Sequence, residues 1–236
     1  MLNAKKLVCF DLDGTLIDSV GIWNQVDAQL IQDLTGQIIS HLSIQQQRDI
    51  QLQKFRQSPD PYLMYCHFLK ESYEIQNLSV EEIKTYRYTI SYHFLDHVIQ
   101  LKPQAEIFVQ ALIQQGIAVT ITTTTSIHNI RRYQSKNANI HPKLHFERDF
   151  HLILTRENVE NIKPHPEVYL KAMQHFGFKP EECLIIEDSL IGIEAANQAG
   201  IEVVAIYDQY SEHELEHIKA KADYFVQDFA ELITVI

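Results

Sequence analysis

Short runs of β-forming, mainly apolar residues occur in this chain between stretches with helical spacing. The runs cover residues 6–10, 118–123, 151–154, 183–187 and 202–206, with a weaker one at 224–226. Continuous apolar runs are typical of central parallel strands that are covered on both faces, whereas half-exposed strands alternate. The helical stretches that follow the runs begin near residues 103, 127, 166, 190 and 212. This β-α-β-α rhythm predicts an α/β fold with a doubly wound parallel sheet and right-handed crossovers.

Strand signals are absent between residues 19 and 97, where apolar residues fall at helical spacing instead. These positions are Ile22, Val26, Leu30, Leu34, Val80, Ile83, Ile90 and Phe94. Ser43 and Ser79 are each followed three residues later by Gln or Glu, and Asp60 precedes a proline. Both patterns are typical of helix starts. The sequence therefore predicts a four-helix domain at 19–97, inserted into a core formed by 1–18 and 98–236.

Composition and charge narrow the classes of function. Hydrophobic residues make up 45% and charged residues 22% of the 236 positions, as in ordinary globular proteins. The formal charge of −11 repels nucleic acid and anionic membranes, so neither is expected as a partner. No apolar run approaches the roughly 18 residues of a membrane-spanning helix, and no secretory segment is evident. The 3 cysteines show no C-x-x-C spacing, and we expect a cytoplasmic protein without disulfides.

Chemically active side chains follow four of the predicted strands. They are Asp11 and Asp13 after the first run, Thr123 and Thr124 at the second, Lys163 after the third, and Glu187 and Asp188 at the fourth. Ligands bind beyond the carboxyl ends of strands in open parallel sheets, so these residues are expected to converge. Carboxylates this close together raise each other's pKa unless a hard cation keeps them ionised. Magnesium is the simplest such cation, and it lets an acidic protein accept a phosphate.

A magnesium site of this kind assigns a role to each polar group. Asp11 is the candidate nucleophile, because a carboxylate can attack a phosphoryl group and form an aspartyl phosphate. Asp13 is the candidate general acid for the leaving oxygen and the general base for the attacking water. The hydroxyl of Thr123 or its neighbour, together with the Lys163 ammonium, would bind the phosphoryl oxygens. The predicted metal ligands are the carboxylates of Asp11 and Asp188 and the backbone carbonyl of Asp13, with Glu187 at or beside the ion.

These residues and their order resemble the motifs of the haloacid dehalogenase superfamily of phosphotransferases. The resemblance rests on D-L-D-G-T at 11–15, the strand ending at Thr123, K-P-H-P from Lys163, and I-I-E-D-S-L-I-G-I-E-A-A-N-Q-A-G at 185–200. It spans nearly the whole chain and implies a Rossmann-like core with an inserted helical cap. This is the cap class of phosphoglycolate phosphatases and β-phosphoglucomutases. The roles that it implies fall on the same residues, namely nucleophile Asp11, acid and base Asp13, phosphoryl contacts Thr123 and Lys163, and magnesium ligands Asp11, Asp13, Glu187 and Asp188.

The chain departs from the family pattern at two positions outside the nucleophile. Thr123 is followed by Thr124, where the family usually has Ser or Asn, so the register of this motif is open by one residue. The Asp that often follows K-P-x-P is Glu167 in this chain.

Two residues of the predicted cap are candidates for substrate binding. Arg48 is a candidate contact for a second anionic group, and Trp23 is a candidate to line the entrance. Arginine more commonly lies on the surface and tryptophan in the core, without contact to a substrate. For each residue, this interpretation and the substrate-binding one both stay open. The mutase branch carries a G-x-x-R signature in its cap, but the residue three before Arg48 is Gln45.

The sequence predicts a magnesium-dependent phosphatase that hydrolyses a small phosphate monoester, such as a sugar phosphate or phosphoglycolate, through an aspartyl phosphate. One alternative is a mutase that resembles β-phosphoglucomutase. Another is a phosphoacceptor signalling module without turnover, in which an aspartate, a threonine, a lysine and a metal also meet at strand ends. Two features argue against this module. Asp13 is placed to help hydrolyse the phosphoryl group that Asp11 accepts, and the insertion is far longer than the usual βα loop of about two to six residues. The expected partner is a small phosphorylated metabolite, and the sequence does not indicate an oligomeric state.

Overall fold

A computed structural model describes residues 1–55 and 58–234 of the chain. The chain divides into two compact units, the first formed by Met1–Ser19 with Ile99–Ile236 and the second by Val20–Val98. Each boundary lies one residue later than the sequence predicts. Among the described helices, none combines the length and the apolar character needed to cross a membrane.

The described part of the first unit is built on a six-stranded sheet whose neighbouring strands are all parallel. The strands are β1 Leu7–Phe10, β2 Ala118–Thr122, β3 Leu152–Leu154, β4 Cys183–Glu187, β5 Glu202–Ile206 and β6 Tyr224–Val226. Their order is β3-β2-β1-β4-β5-β6, so the direction of winding changes between β1 and β4. This is a doubly wound, Rossmann-like sheet, and the predicted fold class is confirmed.

Helices make up the second unit and connect the strands of the first. In the second unit they are α1 Ile22–Thr35, α2 His41–Lys54, α3 Pro61–Ser72 and α4 Val80–His97. In the first unit they are α5 Ala105–Gln114, α6 Ile127–Ser135, α7 Phe146–Asp149, α8 Glu167–Phe176, α9 Leu190–Ala199, α10 Leu215–Lys221 and α11 Phe229–Ile233. Between β2 and β3 the chain passes through α6, a series of turns and the short α7, so this connection is irregular.

Apart from Glu187 at the end of β4, the central strands β1 and β4 are apolar, because both faces of the sheet are covered. Every residue of β1 and β4 is buried. Cys9 belongs to a core cluster that contains Val168 of α8 and Ile193 of α9. The next residue, Phe10, packs edge-on against Phe108 of α5 at 6.1 Å between ring centroids. Since successive strand residues point to opposite faces, β1 contributes to a core on each side.

Side-chain caps fix two of the predicted helix starts in the second unit. Asp60 accepts a hydrogen bond from the Leu63 amide at 2.9 Å at the start of α3, with Pro61 as the first helical residue. Ser79 and Glu82 form a reciprocal capping box at the start of α4. The predicted start at Ser43 is wrong. α2 begins at His41, because the extended Ser40 caps the helix and accepts from the Ser43 amide at 3.3 Å.

A buried ion pair ties α1 to α4 inside the second unit. Arg87 donates to both oxygens of Asp27, at 2.5 and 3.1 Å, and the Tyr65 hydroxyl donates to Asp27 at 3.1 Å. Asp27 is 0% and Arg87 2% exposed. The Arg87 guanidinium lies 4.7 Å from the centroid of the Trp23 ring. Two charges held this deeply depend on each other, because either one alone is costly to bury.

We expect Asp27→Asn to lower the free energy of unfolding by about 3–5 kcal/mol, because it leaves the Arg87 charge buried without its carboxylate. Urea unfolding followed by circular dichroism measures the loss. Lys171→Gln, which removes a partly exposed pair with Glu167 and a hydrogen bond to the Asn158 carbonyl, is the control and should unfold nearly like the wild type. Equal stability of Asp27→Asn and this control would show that the pair does not hold the helices together.

Candidate active site

The strand order places β1 and β4 side by side at the point where open parallel sheets bind ligands. The register pairs Phe10 with Ile186, and the Asp11 amide donates to the Ile186 carbonyl at 3.0 Å. Asp11 and Glu187 therefore leave neighbouring strands at the same level. On the other side of β1, β2 brings Thr122 to the level of Asp11. Residues far apart in the sequence thus meet at one edge of the sheet.

Lys163 lies at the centre of this edge. Its ammonium donates to Asp11 Oδ1 at 2.6 Å, to Glu187 Oε1 at 2.7 Å and to the Thr122 carbonyl at 2.8 Å. Burial by itself would lower the pKa of Lys163, but the charges of Asp11 and Glu187 raise it well above its usual value. Burial raises the pKa of Asp11 to about 8, against the opposing charge of Lys163. Lys163 is thus a fixed cation between two buried acids.

Glu187 is fully occupied by protein donors. Its Oε1 accepts from Lys163 and from the Tyr169 hydroxyl, the latter at 2.9 Å. Its Oε2 accepts from the amides of Asp188 and Ser189, both at 3.1 Å, and from the Ser189 hydroxyl at 2.9 Å. A carboxylate offers about four lone-pair positions, so these hydrogen bonds leave none unused. In this arrangement Glu187 holds Lys163 in place.

Asp188 fills a space that only a glycine leaves open. The Thr15 hydroxyl donates to Asp188 Oδ1 at 2.7 Å. Gly14 adopts a φ of +87°, and a Cβ atom at this position would lie 2.2 Å from Asp188 Oδ2. Both the left-handed backbone and the missing side chain are therefore needed at Gly14. Burial, and then the charge of Glu187, raise the pKa of Asp188 well above its usual value.

The acidic cluster has the composition of a divalent cation site. Ligand oxygens of Asp11, Glu187 and Asp188 lie within 4.8 Å of one another, and all three residues are buried. Lys163 and Thr15 donate to the Oδ1 atoms of Asp11 and Asp188, and no donor among the described residues reaches either Oδ2. Carboxylates gathered this closely in a buried site need charge compensation, and magnesium prefers carboxylate oxygens as ligands. The cluster therefore fits a cation on Asp11 and Asp188, whereas Glu187 is taken up by Lys163.

The Asp13 carboxylate lies outside this cluster. Its Oδ1 accepts from the Ser19 hydroxyl at 2.5 Å, and its Oδ2 accepts from the Thr125 hydroxyl. Burial raises the pKa of Asp13, and the hydrogen bonds from Ser19 and Thr125 oppose this effect. The predicted role of Asp13 as a metal ligand concerns its backbone carbonyl and stays a prediction.

The threonine run divides into residues with different surroundings. β2 ends at Thr122, and the buried Thr123 continues it by donating its amide to the Leu154 carbonyl at 2.9 Å. The Thr123 hydroxyl accepts from the Thr125 amide at 3.0 Å. Thr124 is half-buried. Thr125 is thus the member of the run that contacts Asp13, while the phosphoryl contact predicted for Thr123 or Thr124 stays a prediction.

The sequence prediction assigns no role to several residues that complete the site. They are Thr15, Ser19, Thr125, Tyr169 and Ser189. Thr15 and Ser189 lie inside the D-L-D-G-T and E-D-S motifs, which is a signal that could have found them. Ser19 lies at the predicted start of the inserted domain, and Tyr169 is an aromatic residue at helical spacing, which is typical of any core.

Arg48 and Trp23 belong to the second unit, in which both are packed against charged groups. Arg48 is 6% exposed and lies 3.8 Å from the Asp27 carboxylate. Trp23 lies under the Arg87 guanidinium. Arg48 is therefore buried, so the interpretation of Arg48 as an ordinary surface arginine does not hold. The contacts of Arg48 and Trp23 with a substrate stay predictions.

A doubly wound sheet with an aspartate, a lysine and an acidic pair at its switch point defines the class, a Rossmann-like α/β enzyme with a carboxylate centre. The family model described as haloacid dehalogenase-like hydrolase matches residues 8–206, which is most of the chain. The chain belongs to this family. The resemblance inferred from the motifs and the prediction of an enzyme of the hydrolase type are both confirmed.

Relatives of similar length support this assignment. A protein of Caldanaerobacter subterraneus subsp. tengcongensis named after the pyrophosphatase PpaX is 31% identical over 232 residues, which cover 97% of this chain and 93% of the relative. Phosphoglycolate phosphatase of Pasteurella multocida is 23% identical over 234 residues, 98% of each chain. A crystal structure of a CbbY variant from Rhodobacter sphaeroides in complex with xylulose-(1,5)bisphosphate has a TM-score of 0.71 at 21% identity, covering 97% of this chain and 96% of that one. This last likeness shows the fold alone.

We expect Gly192→Ala to reduce both stability and activity, although alanine normally stabilises a helix interior by up to about 1 kcal/mol over glycine. The reason is that a Cβ atom on Gly192 would lie 1.8 Å from Glu187 Oε1 and would displace the side chain that holds Lys163. Thermal unfolding and phosphate release are the measurements. Glu194→Ala, which removes a partly exposed pair between α9 and Lys221, is the control and should keep wild-type activity. A more stable, fully active Gly192→Ala would contradict the position assigned to Glu187.

Proposed function

We propose that the protein is a magnesium-dependent phosphatase that hydrolyses a small phosphate monoester through an aspartyl phosphate on Asp11. The observation that carries this proposal is the state of the Asp11 carboxylate. Lys163 holds its Oδ1 at 2.6 Å, and its Oδ2 has no donor among the described residues. A buried carboxylate that is fixed at one oxygen and open at the other is suited to nucleophilic attack. The names of the relatives support a small phosphorylated metabolite as the substrate.

In the proposed reaction the open oxygen of Asp11 attacks phosphorus, and the bond from phosphorus to the leaving oxygen breaks. Asp13 donates its proton to the leaving alcohol and then accepts a proton from the water that attacks the aspartyl phosphate. That second displacement releases inorganic phosphate and restores the Asp11 carboxylate. Lys163 and the hydroxyl of Thr123 or Thr124 would compensate the charge on the phosphoryl oxygens.

Asp11 and Asp188, with the backbone carbonyl of Asp13, would hold the magnesium ion. Bound there, magnesium supplies positive charge against the carboxylates and the substrate phosphate. Glu187 would act beside this site by keeping Lys163 in position. The close approach of the buried acids and the open Oδ2 atom of Asp188 support this assignment, whereas the open Oδ2 atom of Asp11 is reserved for the attack on phosphorus.

The proposal gives the two units different roles. Residues 1–18 and 98–236 would form the catalytic core, and 19–97 the helical cap that selects the substrate and closes to exclude water. Arg48 and Trp23 are the proposed substrate contacts of this cap. The planar guanidinium of an arginine such as Arg48 can bind a second anionic group on the substrate through paired hydrogen bonds.

We also propose that the protein acts in the cytoplasm. The three cysteines, Cys9, Cys66 and Cys183, are buried and unpaired. Unpaired thiols are typical of a reducing compartment, and small phosphorylated metabolites are found there.

We expect Asp11→Asn to lose phosphatase activity by about 10,000-fold or more, because the amide cannot act as the nucleophile. Asp13→Asn should also be slow, but it should accumulate protein phosphorylated on Asp11, since the water that cleaves the intermediate lacks its base. Mass spectrometry of acid-quenched protein detects the phosphate adduct, and borohydride reduction locates it.

Ser126→Ala, a helix cap at the start of α6, is the matched control and should keep activity near that of the wild type. Substantial turnover by Asp11→Asn would show that another group attacks phosphorus. An adduct on any residue other than Asp11 would overturn the assignment in a second, independent way.

We expect at least one good substrate in a panel of p-nitrophenyl phosphate, phosphoglycolate, inorganic pyrophosphate and β-glucose 1-phosphate, assayed with magnesium. Chelation by EDTA should abolish turnover and added magnesium should restore it, because the acidic cluster needs a cation to accept phosphate. The product decides between hydrolase and mutase. Free phosphate supports the proposal, whereas glucose 6-phosphate formed in the presence of a trace of the bisphosphate would identify a mutase.

A further inference from the structure

A second buried ion pair lies at the same edge of the sheet, outside the residues that the proposed reaction uses. The Lys102 ammonium donates to Asp208 Oδ2, and the Tyr210 amide donates to Asp208 Oδ1 at 2.8 Å. The side chain of Asp208 is 1% and that of Lys102 18% exposed. Charges in such surroundings are screened less than surface charges, so the pair can influence groups that it does not touch.

Asp208 comes from the strand next to the acidic cluster. β4 and β5 are parallel neighbours whose register pairs Glu187 with Ala205, so Asp208 lies three residues beyond the level of Glu187. Lys102 lies in the segment that re-enters the first unit, and its amide donates to the Leu16 carbonyl at 2.8 Å. Leu16 directly follows the D-L-D-G-T turn, so both members of the pair are connected to the elements that carry the site.

Asp208 lies next in the topology to Asp188, one of the two residues that fit the cation best. Asp188 directly follows β4, and Asp208 follows the end of the neighbouring parallel strand β5 by two residues, so both buried carboxylates leave the sheet at the same edge. Without Lys102, the full negative charge of Asp208 would be added to this cluster.

The buried charges at this edge leave an excess that one divalent ion can balance. The buried carboxylates are those of Asp11, Glu187, Asp188 and Asp208, and the lysines that compensate them are Lys163 and Lys102. With all four carboxylates ionised, as cation binding requires, four negative and two positive charges leave two negative charges. Removing either member of the Lys102–Asp208 pair changes this excess by one charge, in opposite directions.

We propose that the Lys102–Asp208 pair sets the cation affinity of the Asp11–Asp188 site without contacting the ion. Lys102 masks the charge of Asp208, and Asp208 keeps the Lys102 ammonium from repelling the cation. Both are positioning residues that act through the field at Asp188. This inference rests on the proposed magnesium site.

The test is a titration of each folded variant with magnesium alone at pH 8, measured by isothermal titration calorimetry. We expect Lys102→Met to bind magnesium roughly three- to tenfold more tightly than the wild type, and Asp208→Asn to bind it more weakly by a similar factor. The double variant Lys102→Met/Asp208→Asn carries neither charge, and its affinity should return to within about twofold of the wild type. If the Lys102–Asp208 pair only stabilised the fold, magnesium binding would weaken in every variant.

The Lys5–Glu202 pair is the matched control, because Glu202 begins the same strand β5 at the opposite edge of the sheet. Glu202→Gln should leave magnesium affinity unchanged. Changes of the same sign in Lys102→Met and Asp208→Asn, or no change in either, would overturn this inference while leaving the proposed function intact. A wild type that binds no magnesium would instead refute the proposed cofactor, and this inference with it. If Lys102→Met fails to fold, Asp208→Asn and the double variant still decide the sign.

Discussion

The site depends on the charge compensation that Lys163 provides between Asp11 and Glu187. A buried carboxylate without a partner costs several kcal/mol, and two such groups on adjacent strands would also repel each other. Lys163 uses its three donors on one oxygen of each acid and on the carbonyl of Thr122, at distances of 2.6 to 2.8 Å. Because all three N–H groups are engaged, the ammonium is fixed in direction as well as position. The nucleophile candidate is thereby held at one oxygen and left open at the other.

The backbone makes room for the carboxylates that this charge arrangement requires. Gly14 leaves space for Asp188, and Gly192 leaves space for Glu187, since a Cβ atom at either glycine would lie within 2.2 Å of a carboxylate oxygen. The two glycines differ in one respect. Gly14 also needs its positive φ, whereas Gly192 lies in the ordinary helix α9, where only the missing side chain matters. Packing and electrostatics are therefore coupled at both positions, and neither glycine is a simple turn residue.

The sequence predicts the parts of this molecule that follow local rules. The central strands are recognisable because burial on both faces makes them mainly apolar, and the strand-end rule brings Asp11, Lys163 and Asp188 together. The sequence does not predict contacts that depend on tertiary packing. Ser19 reaches Asp13 only because the chain turns back after Gly14, and its position in the sequence resembles the start of a helix. The partners Lys102 and Asp208 lie 106 residues apart, so no local pattern connects them.

The contacts of Lys163 also limit how the proposed reaction can proceed. Lys163 has no spare donor, so it must exchange one hydrogen bond before it can bind a phosphoryl oxygen. The Thr122 carbonyl belongs to a strand end and cannot move freely, and Glu187 is fixed by several further donors. The bond to Asp11 is the one left to exchange. Attack on phosphorus converts the Asp11 carboxylate into an acyl phosphate and moves its charge to the phosphoryl oxygens, so the same ammonium can follow that charge with little displacement.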